Sequence, residues 1–408
     1  MTPATHRARA PRTTHPAAPL DAETGAGTAQ ATGTARATGT AQATGTAQAT
    51  GTARATGTDP ATGASPAAVA LATAIGTATA TGTGHAPCHH GELLQGVFLD
   101  AEGRRCAGLV TLPLAGPGSR ADFVRRPGTP PEALTVVPAD RGKAARAAGL
   151  AVTECARQVG LPPSGGQLRL TGDVPVGLGM GSSTSDVIAA VRAVADSYGL
   201  RLAPDAVARL AVRAERASDP LMLDARPVLF AQREGRTLEV LGPTLPPLVV
   251  VGCVLGGGAP VDTLALPVRE ATDAGVQEYE RLRTLLRRAI ATGDVRLLGQ
   301  VATASARRGQ QTLNHPEFET LTAIARRSGA AGVQIAHSGA VAGVLFDPAA
   351  PGDLRHRVRA CRHALNSHGI PTTRTFTTKE LLDGPAHRRG DRPARPDTSR
   401  RPSRLPAL

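Results

Sequence analysis

Several residue types are scarce in this chain, and their scarcity makes some classes of binding partner unfavourable. The 408 residues include no Trp, two Tyr and six Phe, so few side chains are available to stack on nucleic-acid bases. No run of about eighteen apolar residues occurs, and the N-terminus lacks the charged-then-apolar pattern of a signal peptide. We therefore expect a cytoplasmic protein that does not enter the membrane.

Cysteine is also scarce, and its spacing excludes the common metal motifs. The five cysteines are scattered along the chain at Cys88, Cys106, Cys155, Cys253 and Cys361. Their number is odd, and none forms the close pairs that bind zinc. We expect reduced thiols, most of them buried, as is usual in the cytoplasm.

Lysine is nearly absent, while arginine is abundant. Lys143 and Lys379 are the only two lysines, yet the formal net charge is +13. Many of the arginines lie close to the two ends of the chain, outside the part that we expect to fold. Together with the shortage of aromatic residues, this distribution makes nucleic acid a less favoured partner than the total charge suggests.

Both ends of the chain have compositions that cannot build a core. From residue 25 to residue 66 a six-residue unit of Ala, Thr, Gly and Gln or Arg repeats with almost no large apolar side chain. Such a segment cannot bury enough surface to offset its ordering entropy, and a short-period solenoid would need an apolar residue in each unit. We predict that residues 1–84 are a disordered repeat and that residues 381–408, rich in Arg, Pro and Ser, are a basic disordered tail.

The middle of the chain alternates between strand-like and helix-like patterns. Strands are predicted over residues 167–173, 248–255, 332–336, 341–346 and 372–376. Helices are predicted from the region of residue 182 to Gly199 and over residues 204–217, 276–292, 294–308, 316–328 and 353–367. This order fits an α+β fold in which helices cover one face of an antiparallel sheet.

A glycine-rich segment joins the strand over residues 167–173 to the helix that follows it. Gly177, Gly179 and Gly181 let the backbone approach a ligand closely, and the helix start adds unpaired N–H groups and a positive dipole end. The segment lacks the Gly-Lys-Ser/Thr of a P-loop and the acidic residue of a dinucleotide fingerprint. We predict phosphate binding here, with a purely structural glycine turn as the alternative.

Three segments in order resemble the motifs of one kinase family. Residues 175–183, with the pattern Pro-x-Gly-x-Gly-x-Gly-Ser-Ser, are similar to the central ATP-binding motif of the GHMP kinases, named for galactokinase, homoserine kinase, mevalonate kinase and phosphomevalonate kinase. Residues 86–96, with the pair Gly91-Glu92, resemble the first motif, and residues 332–343 resemble the third. Together these segments span nearly the whole middle of the chain.

This resemblance implies both a fold and an activity. The implied fold is the two-domain GHMP kinase fold, with a ribosomal-protein-like α/β domain over residues 85–243 and a ferredoxin-like α+β domain over residues 244–380. The implied activity is ATP-dependent, Mg²⁺-assisted phosphorylation of a hydroxyl group on a small metabolite. The assembly state stays open, with a homodimer as one candidate.

Finer features resemble one subgroup, the L-threonine kinases that make O-phosphothreonine for cobalamin biosynthesis. The similar segments are residues 91–96, 179–186 and 336–339. The chain departs from that subgroup at Leu178, where Lys is common, and at residues 216–219, where an acidic-Pro-Thr-Asp stretch is common. L-Threonine is the expected acceptor. The alternatives are another hydroxy metabolite, such as a homoserine-like compound, and a non-catalytic nucleotide-binding module.

The resemblance also implies roles for individual residues. The residues expected to bind ATP are Pro175, Gly177, Gly179, Met180, Gly181, Ser182, Ser183 and Thr184. Ser183 is also the expected Mg²⁺ ligand. Glu215 is a candidate carboxylate beside the metal, and a solvated glutamate on the helix face is the favoured alternative for it. The catalytic set is Asp219, Ser183 and Glu92, in which Asp219 is the candidate base. Asp224 is its substitute, and the alternative for Asp219 is a helix-end carboxylate bonded to the backbone.

The first and third motifs supply the expected substrate contacts. These are Glu92, His337, Ser338 and Gly339. Glu92 either contacts the substrate directly or orients its neighbours, and a hydrogen-bonded structural histidine is an equal alternative for His337. His89 and His90 are adjacent, so in a strand they point to opposite faces and at most one reaches the pocket. Cys88 is expected to be a buried thiol, and Lys143 either faces the nucleotide or is solvated.

Overall fold

The computed structural model describes residues 80–172, 177–223, 225–258, 271–337 and 339–378, all of which lie in one compact unit. Residues 1–79 of the predicted repeat and the predicted tail over 381–408 lie outside the described residues. So do Pro175, Asp224 and Ser338. For residues 80–84 the prediction of disorder is wrong, because their backbone pairs with residues 121–125 as the start of a strand. No helix among the described residues is long and apolar enough to cross a membrane.

The chain alternates strands and helices from residue 80 onward. The strands are β1 (Ala80–Leu99), β2 (Arg105–Arg125), β3 (Thr135–Val137), β4 (Gly166–Gly172), β5 (Val228–Ala231), β6 (Arg236–Val240), β7 (Val249–Val254), β8 (Gly332–Ile335), β9 (Val341–Phe346) and β10 (Thr372–Thr377). The helices are α1 (Gly142–Val159), α2 (Ser182–Ser197), α3 (Pro204–Glu215), α4 (Asp273–Thr292), α5 (Val295–Leu313), α6 (Phe318–Arg327) and α7 (Leu354–Ser367).

The predicted elements are confirmed within a few residues, and the class is α+β as expected. The described strands form one sheet in the order β10-β7-β9-β8-β1-β2-β4-β3, with β5 beside β2 and β6 beside β5. All of its pairs are antiparallel except that of β3 with β4. The sheet runs through both predicted domains, because β8 pairs with β1 at Ile335 and Glu92. The boundary at residues 243 and 244 stays a prediction.

The long hairpin of β1 and β2 organises the sheet and carries the first motif. The two strands pair antiparallel from Ala80 opposite Arg125 to Leu99 opposite Arg105. The register shifts between His89 and Glu92, where Gly91 adopts a φ of +71°. Such bulges re-aim side chains and are frequent beside active sites. The irregularity therefore lies at the part of β1 where the first motif meets the glycine segment.

Apolar side chains fill three clusters around the sheet. Val187, Ile188, Val191 and Val194 of α2 are fully buried, as their helical spacing indicates, in a cluster shared with α1, α3 and strands β1, β2 and β4. The second cluster joins α4 and α5 to β1 and β2, and the third joins α6 and α7 to β7, β8 and β9. All five cysteines are free and buried, which confirms the expectation for the thiols.

Helix α2 lies directly against glycines of β1. A Cβ atom added at Gly84 would be 2.1 Å from the carbonyl oxygen of Ala189 and 2.5 Å from the backbone nitrogen of Ala193. Backbone atoms cannot move aside as a side-chain tip can. The absence of a side chain at Gly84 therefore fixes how closely α2, and the segment that precedes it, approaches the sheet.

We predict that Gly84→Ala destabilises the protein by about 1–3 kcal/mol, because the new methyl group overpacks the contact between β1 and α2. The free energy of unfolding, measured by urea denaturation, checks this. The matched control is Gly149→Ala, since Gly149 lies within α1 and a Cβ there meets nothing within 4 Å. An unchanged stability of the Gly84 variant would contradict the close contact.

Candidate functional site

The glycine segment adopts a backbone that requires glycine. Gly177, Gly179 and Gly181 have φ values of +85°, +84° and +69°. A Cβ at Gly179 would lie 2.6 Å from the Cβ of Ala336, and one at Gly181 would lie 2.4 Å from the His89 ring. The conformation disfavours side chains at all three positions, and the close packing excludes them at Gly179 and Gly181.

The segment ends at a helix start that no side chain caps. Gly181 is the N-cap of α2 and has no side chain to accept from the first N–H groups. Thr272, Asp294 and Asp353, by contrast, accept from backbone N–H groups at the starts of α4, α5 and α7. The first N–H groups of α2 have no acceptor within the helix, so they remain available to an anion.

Backbone hydrogen bonds hold the glycine segment between the first and third motifs. The carbonyl of Met180 accepts from the backbone N–H of His89 at 3.2 Å, and the carbonyl of Leu178 accepts from that of Val341 at 3.0 Å. Gly339 packs on the same segment, since a Cβ there would be 2.4 Å from the Gly179 nitrogen. The three motifs therefore form one structural unit.

A cavity of about 370 Å³ opens in front of this unit. Its lining includes all three loop glycines and the side chains of Ser182, Ser183, Thr184, Lys143, Glu215, Asp219 and His337. The structure thus brings the central motif, the end of α3, the start of α1 and the third motif around one space. This volume lies within the range of small-ligand sites.

Glu215 faces the hydroxyl groups at the start of α2. Its carboxylate accepts from Thr184 Oγ1 at 2.9 Å and from Ser183 Oγ at 3.2 Å. Burial, and then the negative charge of Asp219, raise the pKa of Glu215 to about 7. The residue is therefore a buried carboxylate of the cavity wall rather than a solvated side chain of the helix face.

Asp219 is held by a histidine of the first motif. Its Oδ2 atom lies 3.1 Å from His89 Nε2, and both residues are buried. Burial alone would raise the pKa of Asp219, but the charge and hydrogen bond of His89 outweigh it and lower that pKa to about 2. Burial lowers the pKa of His89, but Asp219 and Glu92 outweigh it and raise that pKa overall. The alternative of a carboxylate bonded only to nearby backbone is therefore wrong.

Glu92 connects the first motif to the third. Its Oε2 atom accepts from the backbone N–H of His337 at 2.6 Å, and its Oε1 atom lies 3.0 Å from His337 Nδ1. Oε1 is also 3.6 Å from His89 Nδ1. Burial lowers the pKa of His337, but Glu92 outweighs it and raises that pKa to about 9. A chain of alternating charges therefore runs from Asp219 through His89 and Glu92 to His337.

Three of the predicted site residues have other positions than expected. The Glu92 side chain is fully buried with both oxygens engaged, so it does not reach a substrate. Met180 packs its side chain against the second apolar cluster and offers only its carbonyl, to His89. Gly339 supports the glycine segment and is absent from the lining of the cavity. These residues position the site instead of contacting the ligand.

His90 and Cys88, which flank His89 in the first motif, are placed as the sequence predicts. His90 points away from His89, as predicted for adjacent strand residues, and its Nδ1 atom lies 2.8 Å from Gln334 Nε2. Burial lowers the pKa of His90 to about 3, so its ring is neutral. Cys88 is fully buried, and burial raises the pKa of its thiol to about 11. Cys88 is therefore a core residue and not a nucleophile.

Sequence reasoning missed a polar group beside the start of α2. Arg141 lines the cavity with its guanidinium 3.5 Å from the carboxylate of Asp186. Asp186 also accepts from Ser119 Oγ at 2.5 Å, while burial raises its pKa. The available signal was the short run Asp-Arg-Gly-Lys over residues 140–143, at the start of α1. Lys143 of this run lines the cavity while exposed to solvent.

The side chains around the cavity fit both a nucleotide phosphate and a Mg²⁺ ion. The uncapped N–H groups of α2 suit phosphate oxygens, with Lys143 and Arg141 as nearby positive charges. The Ser183 hydroxyl and the Glu215 carboxylate supply the hard oxygen ligands that Mg²⁺ prefers, and they already lie within hydrogen-bonding distance of each other. No soft or nitrogen ligand lies between these two oxygen groups among the described contacts.

We predict that Glu92→Gln lowers the free energy of unfolding by about 3–5 kcal/mol at pH 6, because the variant leaves His337 without its buried partner. The folded pKa of His337 is raised to about 9, so this stabilisation is complete below the ordinary histidine pKa and is lost as pH rises through 9. Urea denaturation of both proteins from pH 6 to pH 10 should show the gap narrowing.

The matched control is Glu278→Gln, which removes a surface carboxylate paired with Arg281. An exposed pair of this kind contributes less than about 1 kcal/mol, and arginine does not titrate in this range. A gap for the Glu92 variant that stays constant from pH 6 to pH 10 would contradict the charge assigned to His337.

Two protein families match successive parts of the chain. The family described as GHMP kinases N terminal domain matches residues 145–230, and the one described as GHMP kinases C terminal matches residues 286–363. The first match contains the glycine segment and α2, and the second contains the third motif. The order of the matches is the order of the motifs around the cavity.

Two curated relatives are similar over part of the chain. It is 27% identical over 177 residues to the L-threonine kinase of Citrobacter freundii, covering 43% of this chain and 60% of that protein. It is 29% identical over 177 residues to the L-threonine kinase of Salmonella typhimurium, covering 43% of this chain and 57% of that protein. The similarity thus spans less than two thirds of the length of these relatives.

Solved structures share the fold. The homoserine kinase from Cytophaga hutchinsonii aligns with a TM-score of 0.52 at 16% identity, covering 73% of this chain and 94% of that chain. The L. major mevalonate kinase in complex with R-mevalonate aligns with a TM-score of 0.50 at 19% identity, covering 74% of this chain and 96% of that chain. The chain therefore contains, in the order of its motifs, matches to both the N-terminal and the C-terminal domain of the GHMP kinases, on a fold that it shares with solved structures of two such kinases.

Proposed function

We propose that this chain is an ATP-dependent kinase that phosphorylates the hydroxyl group of a small metabolite, with L-threonine as the preferred acceptor. The observation that carries the proposal is the arrangement around the cavity. The uncapped start of α2 and the ionised carboxylate of Asp219 face the same space. In this proposal the phosphates and the acceptor hydroxyl meet in this space, and the arrangement supports phosphoryl transfer by positioning and charge neutralisation.

The start of α2 is the proposed site for the ATP phosphates. The N–H groups of Ser182, Ser183 and Thr184 bind phosphate oxygens in this proposal, and the positive end of the helix dipole favours their charge. Ser183 and Glu215 would hold Mg²⁺, which supplies neutralisation of the charge on the phosphates. Lys143 lies on the open side of the cavity, where it adds a further positive charge.

Asp219 is the proposed general base. Its carboxylate takes the proton of the acceptor hydroxyl while the hydroxyl oxygen bonds to the γ-phosphorus and the bond to the ADP oxygen breaks. His89 keeps Asp219 ionised and oriented through its hydrogen bond at 3.1 Å. Because the pKa of Asp219 is held at about 2, the base is available throughout the neutral pH range.

L-Threonine is proposed as the acceptor because of the similarity of this sequence to L-threonine kinases. The two curated relatives are L-threonine kinases, and residues 91–96, 179–186 and 336–339 resemble that subgroup. O-Phospho-L-threonine is then the product, and service to cobalamin biosynthesis in the cytoplasm belongs to the same proposal. Another small hydroxy metabolite, such as a homoserine-like compound or a precursor of specialised metabolism, is the second candidate acceptor, since Leu178 and residues 216–218 depart from the subgroup pattern.

The test is incubation of the purified full chain with Mg²⁺ and ATP against L-threonine, L-serine, L-homoserine and 1-amino-2-propanol, with mass-spectrometric detection of products. We expect one added phosphoryl group on L-threonine and little on the others. Phosphorylation of another member would move the acceptor and retain the kinase. Nucleotide binding without any product would favour a non-catalytic nucleotide-binding module and overturn the proposal.

Variants at two aspartates test the proposed base. Asp219→Asn should lower kcat by about 10²–10⁴-fold, since the amide cannot take the hydroxyl proton. The matched control is Asp205→Asn, because Asp205 is exposed in the first turn of α3 and away from the cavity. ATP affinity and melting temperature, measured on the same samples, separate loss of chemistry from loss of folding. Full activity of the Asp219 variant would contradict the role of base.

A further inference from the structure

We infer that His337 binds the carboxylate of the acceptor, so the site selects hydroxy acids over neutral alcohols. This inference rests on the proposed function and deepens it, because it assigns a cationic anchor for one particular chemical group of the acceptor. It also assigns a role to Glu92, which positions His337 and keeps its ring charged from the side opposite Nε2.

Glu92 fixes the position of the His337 imidazole. Glu92 is buried in the bulged part of β1, and its two oxygens bind both the backbone N–H and the ring Nδ1 of His337. This double contact fixes the backbone and the ring together. Because Nδ1 faces the carboxylate, the second ring nitrogen, Nε2, is left on the opposite side of the ring.

The Nε2 side of the His337 ring faces the cavity. His337 lines the cavity, and its side chain is 23% exposed, while the Glu92 side chain behind it is fully buried. Among the described residues, no hydrogen bond or ion pair engages Nε2. This atom is not one of the buried polar atoms that lack a partner, so it is accessible from the cavity. Since the ring also carries a positive charge beside Glu92, Nε2 offers a charged N–H donor to the cavity.

His337 is placed differently from the other cations of the lining. Arg141 lies against Asp186 of α2, and Lys143 lies in the first turn of α1. His337, by contrast, is joined to Asp219 through two side chains: Glu92 Oε1 lies 3.0 Å from His337 Nδ1 and 3.6 Å from His89 Nδ1, and His89 Nε2 lies 3.1 Å from Asp219 Oδ2. Of the positive groups that line the described cavity, His337 is therefore the one beside the proposed base.

These positions match the chemistry of a small hydroxy acid. When the acceptor hydroxyl reaches Asp219, the neighbouring carbon atoms of the acceptor lie close to the same carboxylate. In L-threonine the hydroxyl is on Cβ and the carboxylate is on the adjacent Cα. A hydroxyl at Asp219 therefore brings the carboxylate within reach of a neighbouring cation. A charge-assisted hydrogen bond from His337 Nε2 would then distinguish an acid from its amide.

Equilibrium binding tests the inference independently of turnover. Isothermal titration calorimetry of the full chain, with a non-hydrolysable ATP analogue and Mg²⁺, compares L-threonine, L-serine and L-homoserine with L-threoninamide. We expect at least one acid to bind tightly, L-threonine about tenfold or more above its amide, and His337→Gln to abolish this preference. Equal binding of acid and amide by the wild type, or no binding of any acid, would overturn the inference.

Steady-state kinetics separate a role of His337 in binding the acceptor from a role in binding ATP. His337→Gln should raise KM for L-threonine about tenfold, with KM for ATP within twofold of the wild type. His356→Gln, which alters an exposed histidine of α7, is the matched control and should change neither constant. A rise in KM for ATP alone would assign His337 to a phosphate and overturn the inference. Acid-selective binding without any phosphorylation would retain the inference and defeat the proposed kinase activity instead.

Discussion

The buried carboxylate of Glu92 joins two distant segments on which the whole site depends. It accepts from the backbone and ring of His337 and lies beside His89, which in turn holds Asp219. Residues separated by more than 240 positions are thereby fixed within hydrogen-bonding distance. The glycine segment is held between the first and third motifs through backbone hydrogen bonds from His89 and Val341. Without this junction the cavity would lose two of its walls.

Burial of the charged side chains of this junction costs desolvation free energy, so each of them needs a partner of opposite charge. Each carboxylate in the network faces an imidazole, and each of the two imidazoles faces a carboxylate, so the charges alternate from Asp219 to His337. A buried pair of this kind contributes little net stability, but loss of one member leaves an uncompensated charge. We attribute its presence to positioning: it sets where a base and a cation face the cavity.

The sequence could predict the elements that follow a regular period and the backbone that demands glycine. Val187, Ile188, Val191 and Val194 recur at helical spacing and are buried in α2, and the three loop glycines have positive φ values. The long strands β1 and β2 escaped prediction, because they contain glycine and proline and depend on pairing with each other. Likewise, the side chain of Met180 follows core packing, which no local pattern encodes.

The roles of charged residues were predictable only in part. Asp219 and Glu215 were recognisable as carboxylates that follow the glycine segment, and both line the cavity. The partner of each depends on tertiary contacts: Glu92 pairs with a residue of the third motif, and Asp186 meets Arg141 from the loop before α1. A sequence motif names the residue type, whereas burial decides whether that residue contacts a ligand or positions a neighbour.

The most direct test of the central claim is a crystal structure of the protein with ADP and Mg²⁺. The account predicts phosphate oxygens at the N–H groups that open α2, with the cation between the Ser183 hydroxyl and the Glu215 carboxylate. Asp219 and His337 should face the space left beside the terminal phosphate. A nucleotide bound elsewhere, or phosphates that contact neither the glycine segment nor α2, would contradict the account.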